Sequence, residues 1–185
     1  MKTFKYFFEA IFIYLFFLIS KILGIVLSRK VFSFLFKKIG PLIRPDKKIF
    51  ENLSHYSNKL TEEKKREIVE QMWSNYGMTF VEYIFLNKFR KNNSHIKIHG
   101  MDHLAELLKD KKPLIFVSGH FANFELMSME ITKKNINLAT IYRPLNNFFL
   151  NPLMEYLRRK YICFNQIKKG RKGVKNSIEF LKKGY

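Results

Sequence analysis

The sequence predicts an α/β protein in which an N-terminal membrane helix and a helical region precede an incomplete strand-helix sheet. Three observations predict it. Phe4 to Ser28 is almost wholly apolar or aromatic, Thr61 to about Phe89 repeats its apolar residues at helical spacing, and beyond residue 94 short apolar runs alternate with helical stretches. The expected organisation is a hydrophobic anchor helix over residues 1–28, a basic and amphipathic helical region over 29–93, and an incomplete α/β core over 94–185.

The first element is the anchor. Only Lys5, Glu9 and Lys21 interrupt the apolar run, and its longest charge-free part is Ala10 to Ser20. A spanning helix needs about 20 apolar residues, so this one fits a tilted or half-inserted helix with Lys21 reaching towards an interface. Nothing resembling a small-residue cleavage site follows, which points to an anchor that is kept. Arg29, Lys30, Lys37, Lys38, Arg44, Lys47 and Lys48 come next, against a single Asp46. Basic residues beside a membrane segment stay on the cytoplasmic side and attract anionic headgroups, which places the body of the protein on that face.

Pro41 and Pro45 punctuate the exit from this stretch. Thr61 with Glu62 and Glu63 reads as a helix start, and Ile68, Met72, Tyr76, Phe80 and Ile84 then step by four along one face. A polar loop follows at Lys91-Asn92-Asn93-Ser94. Strands are expected at Ile96 to Ile98, Leu114 to Val117, Leu138 to Tyr142 and Ile162 to Phe164. Helices are expected at Asp102 to Leu107, Phe121 to Thr132, Pro152 to Lys160 and Gly173 to Lys183. The chain ends on a helix where such a sheet would continue with a strand, so a fragment or truncated product is expected.

Composition bounds the partners. The 185 residues carry 34 basic and 15 acidic side chains, a formal charge of +19, together with 47% apolar residues and 20 phenylalanines. Such a chain buries a core and seeks an anionic partner: nucleic acid, a membrane surface or a phosphorylated substrate. No nucleic-acid motif accompanies the charge, and the apolar N-terminus argues against that partner. Cys163, the single cysteine, can form neither an internal disulfide nor a thiolate metal site alone and reads as a small buried thiol.

Chemistry in an open parallel sheet collects beyond the carboxyl ends of its strands. There the sequence places Ser118-Gly119-His120, followed by Phe121-Ala122-Asn123-Phe124-Glu125. Gly119 permits a tight turn. If His120 lies before the helix proper, a carboxylate at Glu125 can orient one ring nitrogen while the other takes a proton from an alcohol. The alternative is a satisfied structural histidine, because a histidine followed by an acid five residues on is a weak pattern. Ser118 is disfavoured as a nucleophile, since it lacks the G-x-S-x-G elbow. After the next expected strand come Tyr142-Arg143-Pro144, Asn146-Asn147 and Arg158-Arg159-Lys160, where arginines suit phosphate or carboxylate.

Ser118 to Glu125 is similar to the S-G-H-x-G-N-W-E motif of the late acyltransferases of lipid A biosynthesis, and Tyr142 to Asn147 is similar to that family's Y-R-P-x-x-N. Weaker likenesses lie at Asn52-Leu53, at Met72 to Gly77 with Glu82, at Gly100, and from Arg158-Arg159 to Gly170, in the family's order. The resemblance implies an acyltransferase-type sheet and transfer of a fatty acyl group from acyl carrier protein to a hydroxyl of a hydroxyacyl chain on a lipid A precursor. It implies His120 as general base paired with Glu125, and Asn123, Arg143, Arg158 and Arg159 as substrate-binding residues. It also implies no metal or organic cofactor and a place on the cytoplasmic face of a bacterial inner membrane. The chain departs from the motif at Ala122, Phe124 and Phe148. The alternative function is an inactive truncated remnant acting only as a membrane-associated protein.

Overall fold

The computed structural model describes residues 2–44, 47–92, 96–110 and 112–185. Expectations resting on Pro45, Asp46, Asn93 and Ser94 lie outside the described residues. Helices α1 (Lys2–Ile43), α2 (Lys47–Tyr56) and α3 (Glu62–Glu82) are followed by a tight 3-10 turn (Tyr83–Phe85), α4 (Leu86–Lys91) and α5 (Met101–Lys109). Then come α6 (Glu125–Lys133), β1 (Ala139–Tyr142), α7 (Asn151–Tyr161), β2 (Asn165–Lys168) and α8 (Arg171–Lys182). Two compact units result, one of Leu15–Phe85 and one of the residues up to Tyr14 together with Leu86–Tyr185.

The expectation of one anchor helix ending near Ser28 is corrected. Gly24 has φ 77° and ψ 167°, a backbone region essentially reserved for glycine, and it breaks α1 into arms of residues 2–23 and 25–43. Ser28 Oγ donates to the Ser20 carbonyl at 3.0 Å, and the Phe16 and Phe32 rings meet at 5.9 Å. An unbroken helix would hold those pairs about 12 Å and about 24 Å apart, so the arms fold back on one another. Helix then continues through Pro41, which lies inside the last turn of α1 rather than ending it.

The second arm packs antiparallel on α3. Thr61 caps α3 as its sequence predicts, its Oγ1 accepting from the Lys64 amide at 3.2 Å. Glycines set the closeness of this pair: a Cβ on Gly77 would stand 2.2 Å from the Phe32 carbonyl oxygen, and one on Gly40 would stand 2.1 Å from the Trp73 indole. Phe32, Val81 and Phe85 form the buried centre, with Phe36 and Phe80 against it. Each such side chain contributes about 2 kcal/mol by burial. Arg29 and Glu82 close one end of the seam at 2.6 Å, and Ser33 and Ser74 share a 2.7 Å hydrogen bond in its middle.

The second unit contains a small α/β layer. β1 and β2 are parallel, pairing Ala139 with Asn165 through Tyr142 with Lys168, and α7 forms the crossover between them. α8 lies close on β2, since a Cβ on Gly173 would stand 2.2 Å from the Lys168 carbonyl oxygen. Arg90 from α4 donates to Thr132 Oγ1 at 2.6 Å and to the Tyr161 carbonyl at 3.4 Å, joining the carboxyl ends of α6 and α7, where a cation is favoured.

Three expected strands are corrected. Ile96 to Ile98 and Leu114 to Val117 carry no ladder hydrogen bonds, and Ile115 and Val117 are exposed at 76% and 90%. An apolar run becomes a strand only with a paired neighbour. The amides of Ile162 and Cys163 both bond back to the Arg158 carbonyl and close α7, so the strand begins at Asn165 instead. Helix α6 starts at Glu125 rather than Phe121.

Replacing Gly77 by alanine pushes a methyl group into backbone that cannot move aside. Denaturant unfolding should show a loss of about 3 kcal/mol, the upper end of overpacking costs. An unchanged midpoint would contradict the close approach.

Candidate active site

Glu125 is the first residue of α6 and is buried, at the end of the helix that favours a negative charge. Arg158 from α7 grips its Oε1 with Nε at 2.8 Å and a terminal guanidinium nitrogen at 2.6 Å. Both side chains are nearly excluded from solvent, at 12% and 9% exposure, so the pair is a charge-assisted contact in low dielectric. The same guanidinium lies 5.7 Å from the centre of the Tyr142 ring. Tyr142 is the last residue of β1 and donates its hydroxyl to Glu155, which also meets Lys168 at 3.2 Å. Glu125 is therefore fixed near the carboxyl end of β1, where an α/β layer collects its chemistry.

His120 lies in the irregular segment before α6, exposed, with its ring 4.3 Å from that of Phe124. The structure brings Glu125 to Arg158, and His120 to Phe124. Asn123 is half-buried, its carbonyl accepting from the Leu126 amide at 3.1 Å and opening the helix. Ala122 has φ 44°, a left-handed backbone that costs a residue with a Cβ roughly 1–2 kcal/mol. Ser118 is exposed and donates to the neighbouring Gly119 carbonyl at 3.2 Å.

Arg143 follows Tyr142 directly and is exposed. The two adjacent arginines of α7 diverge: Arg158 faces Glu125, whereas Arg159 lies 5.7 Å from the Phe164 ring and is exposed. Asn147 is a residue whose task the sequence does not reveal. It is buried, donates to the Tyr6 carbonyl at 2.9 Å and to Glu9 at 3.3 Å, and accepts from the Phe149 amide at 3.1 Å. It thereby clamps the loop beyond Arg143 onto the first turns of α1. The available signal was its place at the end of the Tyr142 to Asn147 motif, which does not say that its side chain turns towards α1.

Cys163 matches its reading as a buried thiol. It donates to the Leu138 carbonyl at 2.9 Å, and burial pushes its pKa up, away from reactivity. An open concavity of about 770 Å³ lies elsewhere, in the unit of Leu15–Phe85, lined by Lys47, His55, Lys65 and Arg66 among others. It holds none of the residues above, so its size says nothing about their chemistry.

The family described as bacterial lipid A biosynthesis acyltransferase matches the chain over residues 1–185. A lipid A biosynthesis lauroyltransferase of Escherichia coli (strain K12) is 25% identical over 144 residues, covering 76% of this chain and 45% of that protein. The matched stretch thus spans less than half the length of that relative. No solved structure matches.

Two stability outcomes follow from this geometry. Ala122→Gly relieves the left-handed backbone and should raise stability by about 1 kcal/mol in thermal unfolding; a lower midpoint would show that φ there is not strained. Arg158→Met leaves the buried Glu125 carboxylate without its guanidinium and should cost about 3 kcal/mol, part of it recovered in the Arg158→Met, Glu125→Gln double variant. Simple additivity of the two changes would remove the coupling.

Proposed function

Because the chain belongs to the bacterial lipid A biosynthesis acyltransferase family, we propose that it transfers a fatty acyl group from acyl carrier protein to a hydroxyl of a hydroxyacyl chain on a lipid A precursor. The observation that carries the proposal is the family match along all of residues 1–185, with Glu125 opening α6 and His120 in the segment before it. His120 is the general base. Its imidazole takes the proton of the acceptor hydroxyl as that oxygen attacks the thioester carbonyl carbon. The tetrahedral species then collapses, the carbon–sulfur bond breaks, and the imidazolium returns its proton to the departing thiolate. No acyl-enzyme forms, and the step balances without a metal or organic cofactor.

The role of Glu125 is to stabilise the imidazolium as it forms, and Arg158 acts through it as a positioning residue. Exposure suits His120 to an acceptor that arrives from outside the fold. Of the expected substrate-binding residues, Arg158 is committed to Glu125, which leaves Asn123, Arg143 and Arg159 as the candidates, the arginines being matched to the phosphates of a glycolipid. An acidic carrier protein and an anionic membrane are the remaining partners. The exposed apolar residues of α1, with the basic residues after them, support attachment to the cytoplasmic face of the inner membrane.

Membranes containing the full chain should move labelled acyl groups from acyl carrier protein to a lipid A precursor, and His120→Ala should lower the rate about 10²–10⁴-fold, the worth of a general base. Wild-type turnover in the variant would sink the assignment of His120, and absence of transfer by the unaltered chain would sink the activity.

A further inference from the structure

The carboxyl end of α6 carries more positive charge than the fold around it uses. Where the ends of α4 and α6 meet, a concavity of about 370 Å³ is lined by Arg90 and Lys91 from α4, by Glu130 and Lys133 from α6, and by Lys134 and Asn135 just beyond it. The described lining residues, Thr132 included, are all charged or polar. All of them belong to the unit that contains Leu86–Tyr185.

Two of the four cations serve the fold. Arg90 reaches Thr132 Oγ1 and the Tyr161 carbonyl, and Lys133 Nζ donates to the Phe89 carbonyl at 3.1 Å while pairing with Glu130 at 2.7 Å. Both meet helix carboxyl ends, where a cation is favoured. Lys133 and Glu130 are held in place, with side chains only 13% and 12% exposed. Lys91 and Lys134 are in excess: each is exposed, and neither has an ion partner among the described residues. Arg90 engages its partners through one terminal nitrogen, Nη1, so Nε and Nη2 make no hydrogen bond among the described residues. A planar guanidinium with donors to give is suited to gripping phosphate oxygens in pairs.

We propose that this concavity is a phosphate-binding site. Its one carboxylate is already paired with Lys133, which leaves Arg90, Lys91 and Lys134 lining it without an internal counter-charge. A phosphate monoester carries a charge of about −1.5 to −2 near neutral pH and three strong acceptor oxygens. Those three cations match it, with the Asn135 amide as a further donor. The lining offers no apolar face for a hydrocarbon chain, so recognition is of the phosphate alone, whether free or on the headgroup of a phosphomonoester lipid. Glu125 opens α6 and Lys133 closes it, about 12 Å further along the helix. The site therefore stands apart from the residues of the proposed acyl transfer and does not depend on that reading.

The test uses the full chain in neutral phosphatidylcholine nanodiscs, with acetylation of individual lysines read by mass spectrometry. One arm adds inorganic phosphate at constant ionic strength; the other adds phosphatidic acid to the discs, with no free phosphate. Lys91 and Lys134 should be protected in at least one arm, while Lys172 and Lys175, exposed on α8, are not. Protection in the first arm shows that free phosphate suffices, and protection in the second alone assigns the site to a lipid headgroup. Lys134→Ala, a change at an exposed position, should weaken the apparent affinity read at Lys91 about tenfold, the worth of one hydrogen bond to a charged group. Unchanged reactivity of Lys91 and Lys134 in both arms would overturn the proposal. So would protection shared equally by the α8 lysines, or protection of Lys91 undiminished in the variant.

Discussion

The grip of Arg158 on Glu125 organises the α/β unit. It joins the start of α6 to α7, and through the Tyr142 ring beneath the guanidinium it reaches the carboxyl end of β1. A buried ion pair costs heavily in desolvation, and replacing it with apolar residues would often be no worse for stability. What it supplies is orientation. Glu125 stands at the first turn of α6, five residues after His120, and a carboxylate held by two nitrogens has little freedom to swing. Arg90 ties the other end of α6 to the same last turn of α7, so α6 is held at both ends by arginine.

In the helical unit the governing constraint is backbone rather than charge. Gly24 has nothing within 4 Å of where a Cβ would sit, so space does not demand glycine there; the dihedral angles do. Gly40 and Gly77 are the converse, glycines demanded by contact with Trp73 and the Phe32 carbonyl. The reversal brings Ser20 against Ser28 and Phe16 against Phe32, and only then can Phe17 and Phe32 share Phe80. One turn thus converts a long apolar helix into half of a packed core.

Elements with local signals were legible in the sequence. Thr61 with Glu62 and Glu63 marks the start of α3, and the run through Tyr142 contains β1. What was not legible depends on partners distant in the chain. Leu114 to Val117 has the composition of a strand and no ladder beside it. Arg158 and Glu125 are 33 positions apart, and nothing local says which of two adjacent arginines turns inward. Asn147 was read only as part of a motif, because its contacts with Tyr6 and Glu9 lie 141 and 138 positions away. The turn at Gly24 left one local trace, a glycine inside an otherwise bulky run, and hydropathy averaged across it.

The net charge of +19 takes on a different meaning once its internal uses are subtracted. Arg29 is committed to Glu82, Lys37 to Glu70, Arg158 to Glu125 and Lys168 to Glu155, so four of the 15 acidic residues are bound up in holding elements together. Lys30, Lys38, Arg44, Lys47 and Lys48 near the second arm are exposed, as are Lys169, Arg171, Lys172, Lys175, Lys182 and Lys183 around α8. Exposed lysines left in excess add little to folding and repel one another, so their stabilising counter-charge has to come from outside the chain. In the reading proposed above, an anionic lipid surface supplies that counter-charge, and the phosphates of a glycolipid acceptor add to it locally.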